Sequence, residues 1–225
     1  MRTILTLTGP SCSGKSTLEK MLKQAGFENV ISTTTRPMRE GEVDGKSYYF
    51  VSKSEFKRLA ATDAFVETVE FNGNFYGVGA QEVERVFAMN RPVVVVVEPE
   101  GLRQIREYAS KNGWRHIAVF INNPPEVIAQ RFLDRMISDF SKALGKQDGS
   151  AGKVVTTYVQ RLGVMMGEET KWADREAARA DVNLMWFNED NSKTVVDELI
   201  RMTYSPAYTS GNDSGKTAAT APEPA

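Results

Sequence analysis

Nine residues near the start of the chain concentrate its chemistry: Gly9-Pro10-Ser11-Cys12-Ser13-Gly14-Lys15-Ser16-Thr17. They fit the pattern G-x-x-x-x-G-K-[ST], whose backbone N–H groups converge on phosphate oxygens. Gly9 and Gly14 allow the backbone conformations such a turn needs, and the N-terminus of a following helix adds a favourable field for anions. Lys15 is spaced to reach terminal phosphates and Ser16 to hold Mg²⁺, while Ser11, Cys12, Ser13 and Thr17 line the same turn. The pattern points to a nucleoside triphosphate.

A second stretch offers a different way to hold phosphate: Ser32-Thr33-Thr34-Thr35-Arg36-Pro37-Met38-Arg39, followed by Tyr48-Tyr49-Phe50. Two guanidinium forks three residues apart, with hydroxyls before and phenols after, suit a phosphomonoester. Taken alone, such arginines are also at home on a solvated loop.

The first motif needs a strand before it and a helix after it. Thr3–Thr8 is short, apolar and rich in β-branched residues, and Thr17–Gln24 has helical periodicity ending at Gly26. Val30-Ile31 reads as a short second strand, residues 33–47 as a polar loop, and Tyr48–Val51 as a strand. Ser52 and Glu55 form a capping box for a helix over 53–61. Phe65–Phe71 alternates and turns at Gly73-Asn74 into Phe75-Tyr76-Gly77, an antiparallel pair. A helix over 80–89 leads to Val93–Val97, an unbroken valine run that implies a strand buried on both faces, hence a parallel sheet between helices. Further units follow: helix 100–111, strand 115–121, a helix started by Asn122-Asn123-Pro124 and running to about 137, and a Gly-rich loop at 141–152. A long helix over 153–178, a strand over 182–187 and a helix over 191–203 complete the pattern. The fold class expected is α/β, a P-loop NTPase fold. Its parallel sheet is flanked by helices and carries an antiparallel monophosphate-binding insertion at about 33–92 and a lid insertion at about 135–160. From 205 to 225 the Ser, Thr, Ala, Gly and Pro content implies a disordered tail.

With 225 residues and a net charge of −1, the chain has room for one such domain and no overall field that would favour nucleic acid or membrane. Its longest apolar run is too short to cross a bilayer. A single cysteine and an N-terminus without a signal-peptide pattern fit a cytoplasmic protein. With one histidine, His116, and one cysteine there is no transition-metal site to argue, and His116 reads as structural. Trp114, Trp172, Trp186 and the Met165-Met166 pair read as packing residues.

The phosphate loop, the stretch 32–50, and Phe65-Val66-Glu67 through Asn72-Gly73-Asn74-Phe75-Tyr76-Gly77 together resemble the guanylate kinase family in order and spacing. The likeness covers about residues 2–204 and is strongest over 2–77. It implies an ATP- and Mg²⁺-dependent transfer of phosphate to GMP or dGMP, with small molecules as the only partners. By the same resemblance Arg36, Arg39, Tyr48 and Tyr76 hold the acceptor phosphate, with Arg36 and Lys15 counted among the catalytic residues. Ser32 and Glu67 read the base. Arg131, Arg135 and Arg161 correspond to lid arginines around the transferring phosphate, Arg131 on the ATP side, and Asn188 to an asparagine near the adenine.

Four departures bear on this. Cys12 stands where the family has glycine, and Val78 where it has a base-reading Ser or Thr. The family's Asp-x-Asp-x-Gln-Gly reads here Val96-Val97-Glu98-Pro99-Glu100-Gly101, leaving Glu98 as the acidic group offered to the acceptor nucleotide or to Mg²⁺. The lid loop looks long. Two other readings stay open, a kinase of another or modified nucleoside monophosphate and a non-catalytic binding module of the same fold.

Overall fold

The structure is a computed structural model that describes residues 2–39, 41–71, 73–144, 149–169, 173, 177, 179–185, 187–205 and 218–219. Strand β1 (Thr3–Thr8) is buried along its whole length and forms the centre of a parallel sheet. On one side it pairs with Val93–Val96, on the other with Arg115–Asn122. Numbered in chain order, the described strands are β1, β2 (Glu28–Asn29), β3 (Thr33–Thr34), β4 (Tyr49–Phe50), β5 (Phe65–Phe71), β6 (Asn74–Gly79), β7 (Val93–Val96), β8 (Arg115–Asn122), β9 (Val182–Met185) and β10 (Ala218–Ala219). The parallel sheet runs β10-β9-β8-β1-β7-β2. The parallel core expected from the valine run is therefore present.

Among the described residues the helices with continuous bounds are α1 (Lys15–Gln24), α2 (Lys53–Ala60), α3 (Ala80–Ala88), α4 (Pro99–Lys111), α5 (Pro125–Leu144), α6 (Ser150–Val164) and α7 (Glu189–Tyr204). Successive strand residues face opposite sides. Leu5 and Leu7 enter an apolar cluster with Leu18, Leu22 and Phe27, while Ile4 enters another with Val93, Leu102 and Ile105. This two-sided burial holds the C-terminal strand ends in fixed register. The phosphate loop leaves β1 at that edge, Glu98 follows β7, Asn123 follows β8, and Phe187 lies just beyond β9.

A second sheet, ordered β4-β3-β6-β5, belongs to the insertion before β7. Its β5–β6 hairpin is antiparallel, with Glu67 opposite Val78. Phe56 of α2 stacks on Phe65 and Phe75 and gives the insertion an aromatic core of its own. Ser52 caps α2 by accepting from the Glu55 N–H. Glu82 of α3 accepts from the Tyr49 hydroxyl within the insertion and from the Ile31 N–H of the body, and so links the two.

Several boundaries differ from the sequence reading. The second strand is Glu28–Asn29, not Val30-Ile31, because pairing with Val93 and Val94 fixes its register. Helix α5 runs to Leu144 and α6 begins at Ser150, so the expected loop at 141–152 shrinks. The buried Ala143 and the contact of Phe132 with Tyr158 hold these helices together as a hairpin. After Val164 the helix continues as a π-helical turn, Met165–Glu169. Asn123, expected to cap α5, instead donates to the carbonyls of Ser13 and Phe187. Trp114 packs on Phe87 and Tyr108. Met166, expected to pack, is exposed. Trp172 and Trp186 lie outside the described residues, as does most of the tail, of which Ala218 and Ala219 run parallel to Asn183 and Leu184. No helix among the described residues is long and apolar enough to cross a membrane.

Candidate active site

The turn between β1 and α1 owes its shape to a few backbone positions. A Cβ on Gly9 would sit 2.6 Å from the Ile121 carbonyl oxygen, so only glycine lets the loop lie against β8. Gly14 has φ 109° and lies under the Phe187 ring. Cys12 has φ 63°, a left-handed conformation that glycine adopts freely and a cysteine does not. The Ser13 N–H bonds within the turn, to Pro10 O. The amides of Cys12, Gly14, Lys15 and Ser16 have no acceptor among the described residues and form an open anion cradle at the helix start.

Lys15 folds back onto the loop, donating to Gly9 O at 2.6 Å and Pro10 O at 2.9 Å. Loss of surrounding water lowers its pKa, and the carboxylates of Glu98 and Glu169 oppose that shift. Glu98 is exposed, yet neighbouring protein displaces part of the water around its carboxyl. That crowding pushes its carboxyl up, against the pull of Lys15 and with the added repulsion of Glu169. The Ser11 N–H donates to Glu169 at 2.8 Å and the Ser11 hydroxyl to its other oxygen at 2.6 Å. Arg131 braces the loop from α5, donating to Ser13 O at 3.1 Å and Phe187 O at 2.9 Å. Asn188 exchanges capping hydrogen bonds with Asn191 at the start of α7, which leaves its side-chain NH₂ as the group able to face a base. Ser16 and Thr17 are exposed on the first turn of α1.

Among the described residues no cluster of three or more His, Cys, Asp or Glu side chains could hold a metal by itself. One hydroxyl, Ser16, and one carboxylate, Glu98, suit a Mg²⁺ ion that keeps waters and phosphate oxygens as its other ligands.

Arg135 on α5 and Arg161 on α6 both lie near Tyr158. The Arg161 guanidinium lies 5.3 Å from the centre of the Tyr158 ring, and the Tyr158 hydroxyl donates to Asp139. Burial pushes the Tyr158 phenol up, reinforced by Asp139 and opposed by Arg135 and Arg161. Both arginines are exposed.

In the insertion, Arg36 makes a two-pronged ion pair with Glu42 at 3.0 and 2.6 Å. Its guanidinium lies 5.4 Å from the centre of the Tyr48 ring, which itself packs edge-on against Tyr76 at 6.2 Å. The Arg39 N–H donates to Glu42 too, and these hydrogen bonds, that from Arg36 foremost, hold the Glu42 carboxyl below its ordinary range. Arg36, Tyr48 and Tyr76 thus form one cluster, with Arg39 joined to it through Glu42. Ser32 is half-buried where β3 begins, and its carbonyl accepts from the Tyr49 N–H.

Glu67 is buried, and burial pushes its carboxyl up to about 7, a single backbone hydrogen bond from Val78 opposing the shift. The Val78 side chain lies in the apolar cluster with Val66 and Val83, so what this residue offers Glu67 is its N–H. A Cβ on Gly101 would come within 2.9 Å of the Glu67 carboxylate. The first turn of α4 therefore touches both halves of the site, through Glu98 beside Lys15 and through Gly101 beneath Glu67. Glu100 points away and pairs with Arg103 and Gln104.

The sequence matches the guanylate kinase family over residues 1–166. The chain belongs to that family. It is 47% identical to the guanylate kinase of Nostoc sp. over 105 residues, 46% of this chain and 53% of that protein. To the guanylate kinase of Sus scrofa it is 37% identical over 152 residues, 65% of this chain and 74% of the relative. The chain spans 53%, 62% and 60% of the lengths of the first three curated relatives it matches. A crystal structure of guanylate kinase from Anaplasma phagocytophilum shares the fold, with a TM-score of 0.62 at 22% identity, covering 91% of this chain and 88% of that one. The family match ends before Glu169, one of the site residues that sequence reasoning missed. In the sequence Asn123 reads only as part of a helix start, although it directly follows a buried strand at the sheet edge where ligands of such folds gather.

Proposed function

We propose that this protein is a nucleoside monophosphate kinase that moves the γ-phosphoryl group of ATP to GMP or dGMP, yielding GDP or dGDP, in the cytoplasm. The observation that carries this reading is the first turn of α4, which joins a triphosphate-type loop to a buried base-reading carboxylate within three residues, Glu98 to Gly101. ATP lies on residues 9–17, its phosphates received by the open amides and by Lys15 swung off its loop carbonyls. Ser16 and Glu98 would hold Mg²⁺, which would supply neutralisation of the phosphate charge. Arg36, Arg39, Tyr48 and Tyr76 hold the acceptor phosphate, and Glu67 accepts from the guanine N1–H and amine.

The acceptor phosphate is already an anion at neutral pH, so no general base is needed. Catalysis is positioning plus stabilisation of charge on the transferring group by Lys15, Arg36, Arg135 and Arg161. Closure of the insertion and of the α5–α6 hairpin excludes water as a competing acceptor. The replacements at Glu98 and Glu100 favour, as a second reading, another or a modified (deoxy)nucleoside monophosphate as acceptor. A coupled ADP-release assay across a panel of monophosphates tests both. GMP and dGMP as best acceptors are expected, a pyrimidine monophosphate outperforming dGMP would remove guanine from the assignment, and no turnover with any of them would leave a binding module.

A further inference from the structure

Helix α6 packs chiefly on α5, and Tyr158 is its one fully buried side chain among the described residues. Its far end is fastened differently. There the π-helical turn delivers Glu169, buried, onto the N–H and the hydroxyl of Ser11 in the phosphate loop. A π-helical turn absorbs one extra residue. In an uninterrupted α-helix, residue 169 would stand about 80° away from residue 161 around the axis. With one residue absorbed, Glu169 takes the place seven positions after Arg161, two turns on and on the same face. Glu169 and Arg161 thus form a lever, its fulcrum on Ser11 and its working end about 10 Å along the helix. The latch leaves the amides of Cys12, Gly14, Lys15 and Ser16 open, so it does not occupy the cradle.

We propose that Glu169 is a positioning residue for phosphoryl transfer: its two hydrogen bonds to Ser11 tie the lid helix to the phosphate loop and fix where Arg161 meets the transferring phosphoryl group. This rests on the kinase reading above. It predicts an effect on turnover rather than on ATP binding, and an effect expressed through Arg161.

The test uses the full chain, with Glu169→Gln, Arg161→Ala and the double variant, at saturating ATP and the best acceptor of the panel. Glu169→Gln keeps the shape but loses the charge and one of the two acceptors, so both contacts to Ser11 weaken. The amide oxygen accepts from one, and the Ser11 hydroxyl must turn to accept from the NH₂. Its kcat is expected to fall about tenfold, with the dissociation constant for MgATP, measured by calorimetry without acceptor, changed less than twofold. On the Arg161→Ala background the same change is expected to lower kcat no further, the signature of coupled residues. Independent losses that multiply in the double variant overturn the proposal. So does unchanged kcat, and so does tighter MgATP binding with unchanged kcat, which would make Glu169 a mere occupant of the loop. A wild type that turns over no monophosphate overturns the kinase reading instead. Should Glu169→Gln fail to fold, Ser11→Ala removes one of the two bonds from the other side and is expected to lower kcat severalfold, again only while Arg161 is present.

Discussion

The two phosphate grips proposed for this protein are built from opposite materials. The donor grip is backbone: four amides left open by a loop whose shape is enforced by Gly9 against Ile121 and by Gly14 under Phe187. The acceptor grip is side chain: Arg36 stacked near Tyr48, which packs on Tyr76, and paired with Glu42. A backbone cradle is set when the chain folds, so only Lys15 must move to complete it. A side-chain grip already has an anion in it, and the Glu42 carboxylate must yield some of its hydrogen bonds when a phosphate arrives. Preorganisation thus favours rate at the donor side and exchange at the acceptor side.

The contrast is sharpest if Lys15 is removed. Lys15→Ala is expected to cost about 3 kcal/mol or more of transition-state stabilisation, more than a hundredfold in kcat, because the amides bind ground-state phosphate without it. Steady-state kinetics beside thermal melts check this, and near-normal turnover would dismiss the loop as a catalytic element. At the other grip, Arg36→Lys keeps the charge but loses the fork, and kcat/KM for the acceptor should drop about tenfold or more with KM for ATP unchanged. Equal changes in both Michaelis constants would mean that the grips are not separate.

Glu67 tests the base end of the same side. Its carboxyl stands at about 7 in the ligand-free protein against an ordinary 4.5. Guanine needs the ionised form, so acceptor affinity should rise as pH increases through 7 and weaken about tenfold per unit below it. The stability of the ligand-free protein runs the other way. Between 4.5 and 7 the folded state holds the proton that the unfolded state has lost, so stability falls as pH rises across that window. Melting temperatures across pH 4.5–8 in ligand-free protein check the sign, and a flat profile would show that Glu67 is not the titrating group. The smallest effect belongs to Cys12. Replacing it with glycine at φ 63° should stabilise the protein by about 1 kcal/mol, less the added chain entropy of glycine, read as a shift in denaturant midpoint.

Both grips show what the sequence could and could not disclose. The phosphate loop was legible because its chemistry is local: strand, turn and helix lie within residues 3–24, and the spacing of Gly9, Gly14 and Lys15 sets the geometry. The valine run likewise announced a parallel core. The Glu169 latch was not legible, because it depends on a one-residue change of helical register that periodicity cannot date to a position. Asn123 looked like a helix cap, yet the neighbouring Ser13 and Phe187 carbonyls claim its donors. Val78 looked like a lost contact to the base, but tertiary packing buries its side chain and uses its N–H. The Gly-rich composition of 141–152 reads as loop in the sequence because it conceals the buried Ala143 and the α5–α6 packing.

The central place of β1 has a consequence for how the chain is made. Its partners are Val93–Val96 and Arg115–Asn122, with Thr3 beside Arg115. At a synthesis rate of roughly 5–20 residues per second, the first strand waits about 5–20 s for its last neighbour to be translated. During that time six buried-type residues, Thr3–Thr8, have no sheet to join, while the local β5–β6 hairpin can already pair within the insertion. The acceptor side can therefore assemble ahead of the donor side during translation, and the phosphate loop takes its shape only after residue 121 has closed over Gly9.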